Sequence, residues 1–443
     1  MADGTLASLL LTAAVMIGAA RGVGWLFERI GQPAVIGEIV GGLILGPTVL
    51  GAVAPDLQRL LVPSIAGGHG DGIELLAELG LLVLMFSAGS RAVAKVPRAD
   101  ARTILSVAAL GMALPFGLGL FAVQFLDLQP ILGPADSTLA LEIVLATVLA
   151  ITSVPVIARI LADLGLGDSR FARLVLVVGV LEDLTLYAVL GVAVGLVATP
   201  GAFGLAADLG IAAGSAPGVT IYAVVTAGLL GAAYAAARAN VWQRVAERLS
   251  PHDELSLLLG GAGLAIAGAS YLGVSSAFAA LMFGVATTTD GSHARRASIE
   301  RVEAIGLSAL VPLYFASVGA RLDLASDLHL GFTLQLLVLG CALKAASVYA
   351  GARIAREPST VALPLAVALN ARGGQGIIAA TLALGAGILN DAGFASIVVL
   401  ALVTSAFAGW WLRRNRAALL EPASPPEPPG PAPSLPGAAR GMG

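Results

Sequence analysis

Along this chain apolar residues come in long unbroken runs, and polar residues gather in short intervals between them. Runs of that length without alternation suit helices, whereas a membrane barrel needs alternating segments of about ten residues. The pattern predicts thirteen helices, the first seven at 5–26, 33–51, 73–94, 101–127, 138–163, 170–197 and 218–240. The other six fall at 254–273, 275–289, 298–320, 331–355, 359–388 and 392–415. The ninth is short, and 198–217 leaves room for one small extra helix. A bilayer span takes about 20 mostly apolar residues, so most of these runs can cross. The expected fold class is an all-α polytopic membrane protein.

Composition sharpens this picture. Of 443 residues 57% are apolar and 12% charged, against about 45–50% and 25% in soluble domains. Fifty-five glycines and 5% aromatics favour helices that approach closely, as membrane packing does. A net charge of −3 offers no basic patch, so no nucleic-acid partner is expected. A single cysteine, Cys341, excludes a disulfide framework and a cysteine-based metal site. No resident cofactor is expected. The first residues carry Asp3 and no Lys or Arg before Arg21, so they read as a span and not a removable signal. Residues 417–443 are Pro-rich and poor in apolar residues, which predicts a disordered tail after a membrane domain at 1–416. No stretch past 415 could fold into a further cytosolic domain, so gating by a nucleotide-binding domain is not expected.

Positive charge sets an orientation. Groups such as Arg21 and Arg29, Arg159, Arg170 and Arg173, and Arg413, Arg414 and Arg416 all fall on the side of the loops after odd-numbered helices. Only Arg59 and Arg321 fall on the other side. The amino terminus is expected outside and the carboxyl terminus in the cytoplasm, in a bacterial plasma membrane.

Two basic residues remain, Lys344 and Arg372, each near the middle of its predicted span. Glu182 and Asp183 lie at the midpoint of 170–197. A charge at the bilayer centre costs at least about 2.5–3.5 kcal/mol on insertion scales, so four at one depth point to one polar site. The chain has 23 Arg and only 2 Lys, so Lys344 suggests a need for a compact, tunable ammonium that Arg cannot supply. Structural ion pairs are the plainer alternative for the set. Two spans also carry helix-breaking signals at this depth. ITSVPV pairs Pro155 with Thr152 and Ser153, and NARGGQG sets Gly373, Gly374 and Gly376 among Asn370, Arg372 and Gln375. Interrupted helices at corresponding places in two halves point to a transport site. With 218–240 as a linker, 5–197 and 254–415 form two six-helix sets of opposite topology.

Several segments carry a family resemblance. GQPAVIGEIVGGLILGPTVLG (31–51), LLAELGLLVLMFSAG (75–89), ITSVPVIARILADLGL, VGVLEDLTLYAVL, VPLYFASVGARLDL and LNARGGQG occur in order. The chain resembles the monovalent cation:proton antiporter superfamily, in the branch of bacterial potassium-efflux systems and plant cation/proton exchangers. The resemblance covers roughly 15–415 and implies crossed discontinuous helices, a homodimer in the bilayer, and exchange of Na+ or K+ for H+. It places Asp183 at the family's essential ion- and proton-binding aspartate. Glu182 stands at the variable preceding position, Lys344 at the lysine of electrogenic members, and Thr152 and Ser153 in the unwound crossing segment. An acidic residue usual after the third helix is replaced by Ser90 and Arg91, and a nearby Glu of helix twelve by Gly374, Gln375 and Gly376.

The expected mechanism is competition between a proton and a cation for Asp183 at the midplane, as alternate sides open. Adjacent helical residues diverge by about 100°, so one of Glu182 and Asp183 can face a cation cavity while the other meets Lys344. Lys344 either holds a carboxylate or releases a proton itself. Arg372 is expected to neutralise broken helix ends, with Pro155, Asn370, Gly373 and Gln375 as further supports of the discontinuous helices. Glu38 and Glu78 are expected to pack or hydrogen-bond. The reading requires water to reach residue 183 from at least one side. A sodium-coupled organic-anion symporter and a channel-like leak are the other transport readings. An intramembrane enzyme is excluded by the lack of any spanning His or HExxH pattern.

Overall fold

The computed structural model describes residues 2–63, 71–90, 99–167, 169–197, 216–287 and 293–420. Its main helices are α1 (Ala2–Arg29), α2 (Ala34–Leu45), α3 (Asp71–Ser90), α4 (Ala101–Val123), α5 (Thr138–Ala150), α6 (Val154–Asp163), α7 (Arg170–Val197) and α8 (Ala216–Arg238). They continue with α9 (Pro251–Tyr271), α10 (Ser276–Ala286), α11 (His293–Ile305), α12 (Val311–Arg321), α13 (Leu330–Ile354), α14 (Ser359–Ala368), α15 (Gly373–Gly385) and α16 (Asp391–Arg414). Among the described residues the β structure is one isolated bridge, Leu132 to Leu389. Among the described residues ten helical stretches are long and apolar enough to cross a membrane, and three further apolar helices are shorter. The chain is an integral membrane protein.

Each of the thirteen apolar runs becomes a helix or a pair of half-helices. Run 138–163 divides into α5 and α6, and run 359–388 into α14 and α15. Starts follow capping chemistry: the side chains of Ser137, Ser275 and Asn390 accept from Ala140 N, Phe278 N and Gly393 N. Two boundaries need correction. The tenth helix starts at residue 293 and not 298, because the polar HARRA stretch forms an extra turn outside the apolar run. Arg416–Leu420 is helical, so the first residues of the expected tail, 417–420, are not disordered. The rest of that tail and most of the possible helix at 198–217 lie outside the described residues.

Packing sorts the helices into two groups. In the first, α1, α2, α3, α10 and α12 pack on one another, α2 against α12 and α3 against α10. Glycines permit these crossings: a Cβ on Gly42 would sit 1.9 Å from the Ala316 carbonyl oxygen, and one on Gly319 1.9 Å from that of Ile39. In the second, α13 packs along α4, α4 along α5, α5 along α7, and α15 along α16. This group is held by polar ties. Arg170 forks onto Glu357 at 2.6 and 3.1 Å and reaches Asp100 at 2.8 Å, and Thr103 donates to Glu357 at 2.7 Å. The broken pair α14–α15 is the most enclosed, with 78% of its most apolar stretch buried against 17% for α9. Polar residues placed on α14–α15 therefore face protein and not lipid.

Candidate functional site

Both helix breaks meet at the centre of the second group. At 151–153 the backbone leaves the helix, and Ser153 N donates to Ala371 O at 2.6 Å while Thr152 Oγ1 donates to Leu369 O at 2.5 Å. The unwound strand between α5 and α6 is thus tied to the unwound strand between α14 and α15, and each satisfies backbone groups the other leaves free. The same strand lies on α7. A Cβ on Gly179 would fall 2.6 Å from Val154 Cγ2 and 3.9 Å from Thr152 Cγ2, one turn before Asp183. Pro155 is the second residue of α6, and its side chain lies outside the described residues.

The intramembrane charges divide between two places. Lys344 of α13 and Glu182 of α7 are both fully buried and form an ion pair at 2.8 Å. Lys344 Nζ also donates to Gly111 O at 2.9 Å and to Ala150 O at 2.5 Å. Asp183 points elsewhere, as the 100° step demands, and its Oδ2 accepts from Gln375 Nε2 at 2.9 Å. Gln375 Oε1 in turn accepts from the hydroxyl of Tyr187 at 2.5 Å. Four oxygens here are buried without a hydrogen-bond partner: Asp183 Oδ1, Ser153 Oγ and both carboxylate oxygens of Glu182, of which Oε2 lies at ion-pair distance from Lys344. Ser153 Oγ faces the start of α15, 3.0 Å from a Cβ built on Gly373 and 3.8 Å from one on Gly374. Since Gln375 follows directly and touches Asp183, the serine and the aspartate flank one helix start.

Among the described residues Arg372 pairs with no carboxylate. Its guanidinium is fully buried and donates to Val148 O, Leu149 O, Gly340 O, Asn370 O and Asn370 Oδ1 at 2.5–3.1 Å. All five N–H groups are used on backbone and amide oxygens, four at the two breaks and one, Gly340 O, on α13. Asn370 is fixed in turn by donating to Cys341 O at 3.0 Å. Gly373 has φ +22° and donates its N–H to Ser405 Oγ at 2.9 Å.

Two cavities approach from opposite ends of α3 and α12. A cavity of about 820 Å³ is lined by Arg21, Glu28, Glu38 and Arg159 at its charged rim and by Val154, Val180 and Phe315. Another of about 460 Å³ is lined by Glu74, Glu78 and Arg321, with Tyr314 and Thr381. The neighbouring rings of Tyr314 and Phe315, centroids 5.1 Å apart, stand between them. Asp183 is 4% exposed and is not among the residues lining either of these two cavities. On α7 the lining of the larger cavity includes Leu176, Val177 and Val180, the last within one helical turn of Asp183. Glu38 is buried 3.7 Å from Arg21 and Glu78 accepts from Ser276 at 3.2 Å, in keeping with packing and hydrogen-bonding.

A family model described as sodium/hydrogen exchanger, transmembrane, matches residues 13–414. The chain belongs to the sodium/hydrogen exchanger family. Members of this family are transporters and not enzymes. Cation/H(+) antiporter 20 of Arabidopsis thaliana is 29% identical over 414 residues, covering 90% of this chain and 47% of the relative. The chain thus spans about half the length of that plant relative. Na(+)/H(+) antiporter NhaS4 of Synechocystis is 26% identical, covering 91% of this chain and 96% of its own. Among solved structures, the sodium proton antiporter MjNhaP1 from Methanocaldococcus jannaschii has the same fold, with a TM-score of 0.62 at 14% identity. That alignment covers 94% of this chain and all of the archaeal one.

Of the residues picked out in the sequence, the structure groups Glu182 with Lys344, Asp183 with Gln375, and Thr152, Ser153, Asn370 and Gly373 at the crossing. Tyr187 was missed. The one available signal was its spacing, four residues after Asp183 on the same helix face.

Proposed function

We propose that this chain exchanges a monovalent cation, Na+ or K+, for protons, with Asp183 binding either ion in turn. The observation that carries this is Asp183 Oδ1, a buried carboxylate oxygen without a partner where two broken helices cross. A buried acceptor left empty is costly, and a proton or a cation would fill it. Ser153 Oγ is the neighbouring neutral ligand, and Thr152 holds the unwound strand in place. Glu182 and Lys344 compensate each other's charge, so Asp183 is the carboxylate free to change its load.

Asp183 is occluded, so exchange requires a step that opens it to each side alternately. The two helix groups supply the moving parts, and the cavities above and below Tyr314 and Phe315 supply the paths. Residues 1–416 act as one exchanger domain of two inverted repeats, about 5–197 and 254–415, joined by the linker helix 218–240. It works as a homodimer in a bacterial plasma membrane, amino terminus outside and the Pro-rich tail in the cytoplasm, where the charged rim of the larger cavity faces. In proteoliposomes carrying a pH dye, Na+, K+ or Li+ pulses should drive proton counterflow in wild type and none in Asp183→Asn. Cation-dependent proton flux surviving in Asp183→Asn would refute the proposal.

A further inference from the structure

Tyr187 is bulky, 1% exposed and set in an apolar run, so by composition it is a core residue. Its hydroxyl, however, has one short contact, to Gln375 Oε1 at 2.5 Å. The other end of that amide donates to Asp183 Oδ2 at 2.9 Å. Tyr187 and Asp183, one turn apart on α7, therefore bracket a single side-chain amide from the first turn of α15. An ionised carboxylate can only accept, and a phenol can donate. The ionised carboxylate sets the amide with its NH2 toward Asp183, and the phenol adds a hydrogen bond to the carbonyl that this orientation turns toward Tyr187. Rotated by half a turn, it would set an acceptor against an acceptor at 2.9 Å. Gln375 is 0% exposed, so water does not relax the choice.

This has a consequence for a cation held at Asp183 Oδ1, and it rests on the reading of Asp183 above. The amide oxygen of Gln375 is a good alkali-metal ligand, yet the Tyr187 hydroxyl holds it away from the site. We infer that Tyr187 is a positioning residue that withholds the Gln375 carbonyl from the transported cation, and so sets how tightly the site holds it. Without the hydroxyl, the buried Gln375 oxygen loses its partner, and a cation bridging it to the Asp183 carboxylate offsets the acceptor–acceptor contact that otherwise bars rotation. The ion then has one more oxygen ligand and leaves more slowly.

The test is cation-dependent exchange in proteoliposomes, with KM and kcat determined separately for Na+ and K+. Tyr187→Phe should lower the cation KM about three- to tenfold, the worth of one neutral polar contact, and lower kcat with it. In a Gln375→Leu background, which has no amide to rotate, adding Tyr187→Phe should leave KM unchanged. Tyr187→Leu, which also lacks the hydroxyl, must act as Tyr187→Phe does. Na+-induced thermal stabilisation of the purified protein gives a second reading, and its half-maximal Na+ concentration should fall by the same factor. A merely structural Tyr187 would alter kcat or yield without lowering KM. An unchanged or raised KM in Tyr187→Phe, or an equal KM shift in the Gln375→Leu background, overturns the inference. If Asp183→Asn is silent while Tyr187→Phe keeps the wild-type KM, this inference alone fails. If Asp183→Asn still exchanges, the reading of Asp183 fails first.

Discussion

Replacing Lys344 by Met isolates what the buried ion pair does for stability. Lys344 and Glu182 are each 0% exposed and 2.8 Å apart, so neither has water to fall back on. Removing one member strands the other, and a stranded buried charge typically costs about 3–5 kcal/mol. The carbonyls of Gly111 and Ala150 also lose their contact with the ammonium, which adds to the loss. Removing both charges should behave differently, because an apolar pair of similar volume is often neutral or stabilising. Lys344→Met is therefore expected to lose about 3–5 kcal/mol, and Lys344→Met with Glu182→Leu to regain most of it. Equilibrium unfolding in mixed SDS micelles, followed by tryptophan fluorescence, reads these differences directly. If the single variant stays within about 1 kcal/mol of wild type, or the double variant is no better than the single, the pair is not desolvated as described.

Two further outcomes follow from geometry away from the site. Gly42→Ala would put a methyl group 1.9 Å from a backbone oxygen of α12, so α2 and α12 must separate. The expected loss is about 1–3 kcal/mol or more, while Gly228→Ala, with nothing within 4 Å, should be neutral or slightly stabilising in the same unfolding assay. Glu357, in the turn before α14, has its carboxyl held below the usual value, chiefly by Arg170 and also by Thr103, against the opposing effect of burial. A depressed folded-state value means its contribution is complete above the unfolded-state value, about 4.3, and is lost as pH falls through the lower folded one. Melting curves should therefore show wild type losing its advantage over Glu357→Gln as pH drops below about 4.3, and a gap that stays constant into acid would contradict this.

Most of the architecture is legible in the sequence because the bilayer demands long apolar runs, and these cannot be disguised. The breaks were legible for a different reason. Pro155 and the Gly373–Gly374 pair remove helix propensity at depths where nothing else would. The separation of Glu182 from Asp183 followed from the helical step alone, and the structure places only Glu182 on Lys344. Contacts that run through backbone carbonyls left no trace: Arg372 meets five oxygens, none of which belongs to an acidic residue. Tyr187 was hidden because a phenol inside an apolar run has the same pattern as a packing aromatic. The burial of Asp183 was equally hidden, since nothing in the apolar run around it marks which side chains the fold sets over it. The extra turn at 293–297 was missed because polar residues can extend a helix beyond the membrane, where no apolar run marks it.

The last three carbonyls of α5 carry a further electrostatic meaning. A half-helix ending in the membrane presents the negative end of its macrodipole, equivalent to roughly half an electron charge, which could attract a cation by itself. Here that end is already spent, because Val148 and Leu149 accept from Arg372 and Ala150 from Lys344. The starts of α6 and α15 present the opposite, positive ends, and their N–H groups meet only neutral partners, Ser153 N on Ala371 O and Gly373 N on Ser405 Oγ. A cation at the crossing would therefore be attracted by a carboxylate against a field that otherwise repels it. The backbone, on this view, acts as a counterweight: it favours emptying the site once the aspartate's charge is neutralised.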